Sequence, residues 1–310
     1  MKILITGGAG YIGSVLVPAL LERGDHVTVL DNFMYGQASL LDCCANPRLT
    51  IVRGDVRDTP LVTRLVAGAD AVLPLACLTG APICARDPAT ARAVNFDAIR
   101  TLGGLLSPSQ MLVFPSTNSG YGVGEQDVYC DESSPLRPVS LYGRLKVEIE
   151  ALLLDRGQCV TFRFATLFGV SPRMRLDLLV NDFTYRAVTD RCVVLFEPHF
   201  KRNYLHVRDA ARAFIHVLDH YDEMKGRPYN VGLSDANLSK WELCEVIKSL
   251  VPDFYFTTAE IGRDPDQRNY IISNARMEQT GYRPSFTLDQ GIDELVKGYQ
   301  VIRRTDYANA

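Results

Sequence analysis

The chain has 310 residues, 47% of them hydrophobic and 22% charged, with a formal net charge of −3. That balance suits a globular chain with a sizeable buried core, and it lacks the basic excess that marks a nucleic-acid partner or an acidic membrane surface. No apolar run approaches the roughly 18 residues of a membrane span, and the N-terminus shows no charged leader ahead of an apolar stretch, so neither a membrane anchor nor a secretory signal is expected.

The first half alternates two rhythms. Segments 2–6, 26–30, 49–53, 71–75 and 111–115 are short apolar or β-branched runs that read as buried parallel strands, with 160–164 as a sixth. Between them, 13–23, 60–66, 88–106 and 141–155 carry helical spacing. Strands alternating with helices predict right-handed crossovers and a doubly wound α/β sheet. After Phe168 the rhythm breaks into arginines, prolines and short mixed elements until 207–219 resumes a helical pattern. Segment 228–231 offers one more strand, 240–250 and 288–303 are further helices, and 306–310 is expected to fray. The predicted fold class is a Rossmann-type α/β doubly wound parallel sheet with a smaller, partly interleaved C-terminal substrate lobe. The division expected is 1–168 with 205–233 returning to it, against 169–204 and 234–310.

The eight cysteines, at 43, 44, 77, 84, 130, 159, 192 and 244, include no C-x-x-C pair. They fit neither a zinc site nor a disulfide framework, and they predict reduced thiols, a cytoplasmic setting and no metal.

Chemistry first enters at Thr6-Gly7-Gly8-Ala9-Gly10-Tyr11-Ile12-Gly13, where the first strand meets the first helix. Gly7, Gly10 and Gly13 let the backbone turn sharply and approach a pyrophosphate, whose charge rests on the helix N-terminus. A glycine trio alone marks only a tight turn; its place after the first strand is what points to a dinucleotide. Asp31, ending the second strand beside Asn32, suits a ribose hydroxyl pair and repels a 2′-phosphate, favouring NAD, although Asp-Asn also serves a turn. Asp55 and Val56 follow the third strand, where an adenine contact and a plain surface turn are equally compatible.

Ser140-Leu141-Tyr142-Gly143-Arg144-Leu145-Lys146 places Tyr142 and Lys146 four apart on a predicted helix. An i, i+4 ammonium favours phenolate, so Lys146 is expected to lower the Tyr142 pKa. Such pairs also occur by chance on helix faces. Pro115-Ser116-Thr117-Asn118-Ser119-Gly120-Tyr121-Gly122 follows the fifth strand, on the sheet edge where open α/β folds bind ligands, and Thr117 offers a hydroxyl there.

Taken in this order, the glycine turn, ribose aspartate, hydroxyl loop and Y-x-x-x-K resemble the extended short-chain dehydrogenase/reductase family of NAD-dependent nucleotide-sugar 4-epimerases and 4,6-dehydratases. The resemblance spans essentially the whole chain. It implies Thr117, Tyr142 and Lys146 as a catalytic set, and Gly7, Gly10, Tyr11, Ile12, Gly13, Asp31, Asn32, Asp55, Val56, Leu75, Ala76 and Asn95 around NAD. Pro74 departs from the histidine common there. Dehydratases of the family place an aspartate and a glutamate after the threonine; Asn118 and Ser119 stand here, expected as substrate contacts, and neither moves a proton near neutral pH. Oxidation at a ring carbon, usually C4, is then expected, giving either a released ketone or an epimer.

Arg202 in Arg202-Asn203-Tyr204-Leu205-His206-Val207 and Arg268 after Asp266-Gln267 resemble the family's diphosphate-gripping arginines, and Asn181 is expected at the sugar nucleotide. Segment 171–186, with 115–122 and 201–207, is similar to the GDP-heptose 4-dehydrogenases of capsule heptose biosynthesis. That likeness implies bound NADH reoxidised by a 2-oxo acid, a 4-keto heptose product, and Arg173 and Arg175 as added substrate contacts. An arginine-rich hinge without ligand is the plain alternative for those two. The family also implies a homodimer built on 88–106 and 141–155. Asp209 is expected to cap the helix that follows it, and none of the histidines is assigned to catalysis.

Overall fold

A computed structural model describes residues 1–125, 127–259 and 268–302. The expectations for 306–310, for Asp266-Gln267 and for the helix end at 303 lie outside the described residues. The strands in chain order are β1 (Lys2–Thr6), β2 (His26–Asp31), β3 (Leu49–Arg53), β4 (Ala71–Pro74), β5 (Met111–Thr117), β6 (Tyr129–Cys130) and β7 (Cys159–Phe164). They continue with β8 (Thr166–Phe168), β9 (Cys192–Leu195), β10 (Lys201–His206), β11 (Arg227–Val231), β12 (Asn237–Ser239), β13 (Tyr255–Thr258) and β14 (Ile271–Ile272).

Seven of these form one parallel sheet in the order β11-β7-β5-β4-β1-β2-β3. Both faces are covered by helices, so β4 and β7 are buried along their whole length; β4 reads as a continuous apolar run, whereas β7 also buries Thr161 and Arg163, the latter paired with Glu150 at 2.8 Å. Leu16, Val17 and Leu20 of helix Gly13–Glu22 and Ala210, Phe214 and Val217 of helix Val207–Asp219 pack on one face. Val62, Ile99, Leu102, Ile149 and Leu153, from three further helices, pack on the other. The chain order reverses on either side of β1, where β2 lies to one hand and β4 to the other. A crevice opens at such a switch point, beyond the carboxyl ends of the strands. Thr6, Asp31, Thr117 and Phe164 all sit at that edge.

The segment that looked irregular after Phe168 contains a helix, Leu179–Thr189. Its spacing is weakened by the polar residues Asn181, Asp182 and Thr184 on partly buried turns, which is why the pattern is hard to read from sequence. With helices Lys240–Leu250 and Leu288–Val301 it builds a second apolar cluster around Val180, Leu243, Ile247, Ile292 and Leu295. The predicted helix 88–106 is interrupted: Pro88–Arg92 and Ala98–Leu105 flank a π-type turn at Ala93–Asp97. All eight cysteines are free.

Asp209 does not cap its helix. His206 does so, accepting from the Arg208 N–H at 3.3 Å, while the Asp209 carboxylate reaches out to the Ser285 and Phe286 amides at 2.9 Å each. Those amides precede helix Leu288–Val301, so the aspartate joins two distant helices instead of ending one.

Candidate active site

A single cleft of about 1110 Å³ runs along the switch point, lined from both the sheet edge and the C-terminal elements. At its floor Gly7 takes φ +71°, and an added Cβ there would lie 2.5 Å from the Ala76 nitrogen. At Gly13 the same atom would meet the Gly8 backbone at 2.4 Å, so the helix can start against the turn only without a side chain. Gly10 is different: a Cβ would meet nothing nearer than the Gly7 carbonyl at 3.1 Å. The first and third glycines bring β1, the β4 exit and the helix together; the middle one leaves the cleft floor open.

Asp31 is held from two sides, accepting from the Ala9 N–H at 3.0 Å and the Phe33 N–H at 2.7 Å. Its carboxylate is thereby locked to the turn at the cleft wall, beside Asn32. Asp55 also lines the cleft, but the Arg57 guanidinium grips it bidentately and holds its carboxyl below the ordinary value. Val56, Leu75, Ala76, Tyr11 and Ile12 complete this half. A glycine floor open to the cleft, a fixed carboxylate and apolar walls are the donor set that an adenine dinucleotide needs.

Asn95, expected as a structural residue next to the cofactor, does not line the cleft. Its amide clamps the backbone of Leu78, accepting from its N–H at 2.8 Å and donating to its carbonyl at 2.9 Å. The π-type turn aims it there, so its part is to hold the loop that Leu75 and Ala76 begin.

The other half gathers Thr117, Ser119, Tyr142, Lys146, Arg175, Arg202 and Arg268. Thr117 Oγ1 donates to Ser119 Oγ at 3.0 Å and accepts from its amide at 3.1 Å. Arg268 donates to the same Ser119 hydroxyl. The Tyr142 hydroxyl has no hydrogen-bond partner among the described residues and faces the cleft. Burial pushes its phenol above the ordinary tyrosine value; Cys77 and Cys84 act the same way, and Arg175 and Arg268 oppose them without prevailing. The expected lowering by Lys146 is therefore corrected. Its ammonium donates to the Pro115 carbonyl at 2.7 Å and lies 4.5 Å from the centre of the Phe114 ring.

Two expected substrate contacts do not line the cleft. Asn181 is fully buried away from the cleft: its amide donates to Tyr11 Oη at 3.2 Å and the Arg175 carbonyl at 2.8 Å, and accepts from the Gly169 N–H at 3.0 Å. A side chain so engaged has little left for a ligand, and it serves to fix residues 169–175. Asn118 is 1% exposed and absent from the cleft wall, and neither its amide oxygen nor its amide nitrogen has a partner among the described residues. Arg175 lines the cleft while held by Asp177 at 2.6 Å. Arg202 lies 5.7 Å from the Tyr270 ring. Tyr35, Cys77, Asp177 and Lys240 also face the cleft and carry no motif that would have found them; they arrive through the fold. Among the described residues no cluster of His, Cys, Asp and Glu could hold a metal ion.

With the glycine turn, its carboxylate and the Tyr142 wall in one crevice, the comparison with known families becomes decisive. Residues 3–232 match the NAD dependent epimerase/dehydratase family. The chain belongs to that family. It is an NAD-dependent enzyme of the epimerase/dehydratase type. UDP-glucuronic acid decarboxylase 1 of Arabidopsis thaliana is 28% identical, over 97% of this chain and 70% of the relative. dTDP-glucose 4,6-dehydratase of Streptomyces niveus is 29% identical, over 97% and 93%. Among solved structures, the NAD complex of Thermus thermophilus UDP-glucose 4-epimerase superposes with a TM-score of 0.83 at 25% identity, over 97% of this chain and 99% of that one. Among the described residues no helix of this epimerase/dehydratase-family enzyme is long and apolar enough to cross a membrane.

Proposed function

We propose that this enzyme oxidises the C4 hydroxyl of a sugar carried on a nucleoside diphosphate. The observation that carries the reading is the partnerless Tyr142 hydroxyl, in one cleft with the Thr117 hydroxyl, the Lys146 ammonium and the glycine turn. The glycine turn, Asp31 and the loop at Leu75 and Ala76 would hold NAD, which would supply the acceptor for the hydride leaving the carbon. Tyr142 takes the hydroxyl proton at its phenol oxygen, and Thr117 hydrogen-bonds the same sugar oxygen. Lys146 commits one donor to the Pro115 carbonyl and has two more that would hold the cofactor's ribose. Arg202 and Arg268 grip the sugar's diphosphate, with Arg175 beside the reacting ring. In this reading 1–168 with 205–233 carries the cofactor, and 169–204 with 234–310 carries the sugar nucleotide.

Asn118 and Ser119, an amide and a hydroxyl, stand where elimination would need carboxyl groups, so the ketone is not dehydrated. The product follows the GDP-heptose 4-dehydrogenase pattern, a released 4-keto heptose with a 2-oxo acid restoring NAD. Epimerisation through the same ketone is the second reading, favoured by the likeness to a UDP-glucose 4-epimerase. Incubation with GDP-manno-heptose or a UDP-hexose, with and without 2-oxoglutarate, separates them by mass spectrometry and NMR. A 4-keto product that accumulates with the 2-oxo acid supports the dehydrogenase. An epimer formed without net cofactor change supports the second reading, and no reaction at C4 of any nucleotide sugar overturns both.

A further inference from the structure

Residues 169–175 lie across the start of the first helix as though stitched down. Tyr11 Oη donates to the Gly169 carbonyl at 2.6 Å, and Ser171 Oγ donates to the Tyr11 carbonyl at 2.8 Å. Ser171 Oγ also meets Ser14 Oγ at 2.8 Å, and the Arg173 amide reaches that same Ser14 oxygen at 3.3 Å. These bonds carry the Arg173 side chain to the glycine-turn half of the cleft. There it is 2% exposed, with its guanidinium carbon 3.9 Å from the centre of the Tyr35 ring. Tyr35 belongs to the loop that leaves Asp31, and its hydroxyl is buried without a partner while its side chain lines the cleft. A fork-shaped cation and a spare phenol donor thus converge where the helix N-terminus already favours negative charge. The sugar-side arginines sit elsewhere, Arg268 on Ser119 and Arg202 by Tyr270.

We propose that Arg173 and Tyr35 form a clamp on the diphosphate of the bound dinucleotide, so that residues 169–175 are a cofactor strap and not a wall for the sugar. Burial and the neighbouring Arg175 work against the Arg173 charge while Tyr35, Asp177 and Asp31 support it, and its guanidinium already donates to the Met174 carbonyl at 3.1 Å; a doubly charged diphosphate would add to that support. The stacking on Tyr35 keeps the guanidinium flat over its site. The inference rests on the NAD dependence of the family and not on chemistry at C4, so it stands or falls without any sugar present.

The test is titration calorimetry of the full chain, freed of nucleotide, with ADP-ribose and with NADH, followed by titration of the NAD-loaded enzyme with GDP and with UDP. R173Q is expected to weaken both dinucleotide-type ligands by about tenfold to a hundredfold, the loss typical of a charge-assisted contact. Y35F keeps the stacked ring and removes only the hydroxyl, and should weaken them about threefold to tenfold. R173K, which keeps charge but not the fork, should fall between wild type and R173Q, and it supplies the reading should R173Q fail to fold. Unchanged ADP-ribose affinity in R173K and Y35F overturns the proposal. So does a loss confined to GDP or UDP, which would return Arg173 to the sugar nucleotide.

Discussion

Tyr142 is the residue on which the chemistry turns, and its surroundings make a testable demand. Burial holds the phenol above its ordinary value, so the base form is scarce at neutral pH and grows about tenfold per pH unit. For sugar oxidation kcat/KM should therefore climb with pH from neutral into the alkaline range. A plateau near neutrality would mean that the cations around the loaded site outweigh burial. Replacing Tyr142 by Phe removes the proton path and keeps the ring; turnover should fall about a thousandfold while NADH fluorescence still reports binding. Retained turnover would remove Tyr142 from its proposed role. The motif around this residue was legible because i, i+4 spacing is local. The direction of the phenol's pKa was not, since it rests first on burial by the fold, with Cys77 and Cys84 adding to it and Arg175 opposing it, none adjacent in sequence.

At the scale of elements, Asp209 shows how a residue that looks like a cap acts at a distance. Its carboxylate is fully buried and accepts from Ser285 and Phe286 amides and from Arg212 at 2.9 Å. An Asp209→Asn change is nearly isosteric but sets an N–H against at least one of those donors. Thermal or denaturant unfolding should show a loss of about 1–3 kcal/mol, the usual consequence of an unmade buried hydrogen bond. A change under about 0.5 kcal/mol would mean that water replaces the lost acceptor. The helix boundaries follow a similar division. Helices Val207–Asp219 and Lys240–Leu250 match their periodic pattern, whereas helix Leu179–Thr189 was hidden because its buried face includes Asn181 and Thr184. The π-type turn at Ala93–Asp97 was hidden too, since an added residue per turn leaves no compositional trace.

For the whole molecule, the homodimer implied by the family is a proposal with a specific weak point. It joins the helices within 88–106 and 141–155 of two chains, so light scattering should return twice the 34.5 kDa chain mass. Gly104 is exposed on helix Ala98–Leu105, and a Cβ there would meet nothing within 4 Å. A Gly104→Glu side chain fits the single chain, so unfolding should be unaffected or slightly delayed by the better helix former. Across a two-fold interface it would set like charges together, and the species should shift toward monomer. Dimerisation undisturbed by this change would place the interface on another face.

The sequence by itself determined the sheet, the glycine turn, Asp31, Thr117, Tyr142 and Lys146, because each rests on spacing within a few residues of a strand end or along one helix. Which polar side chains face the cleft was decided by tertiary structure alone. Asn95, Asn118 and Asn181 turn inward, two of them to satisfy buried backbone groups, while Tyr35, Asp177 and Lys240 turn toward the crevice. For Asn95 and Asn181 the physical reason is that a buried amide must find its partners wherever the fold places them, up to 170 residues away along the chain; Asn118, whose buried amide has no partner among the described residues, does not follow that rule.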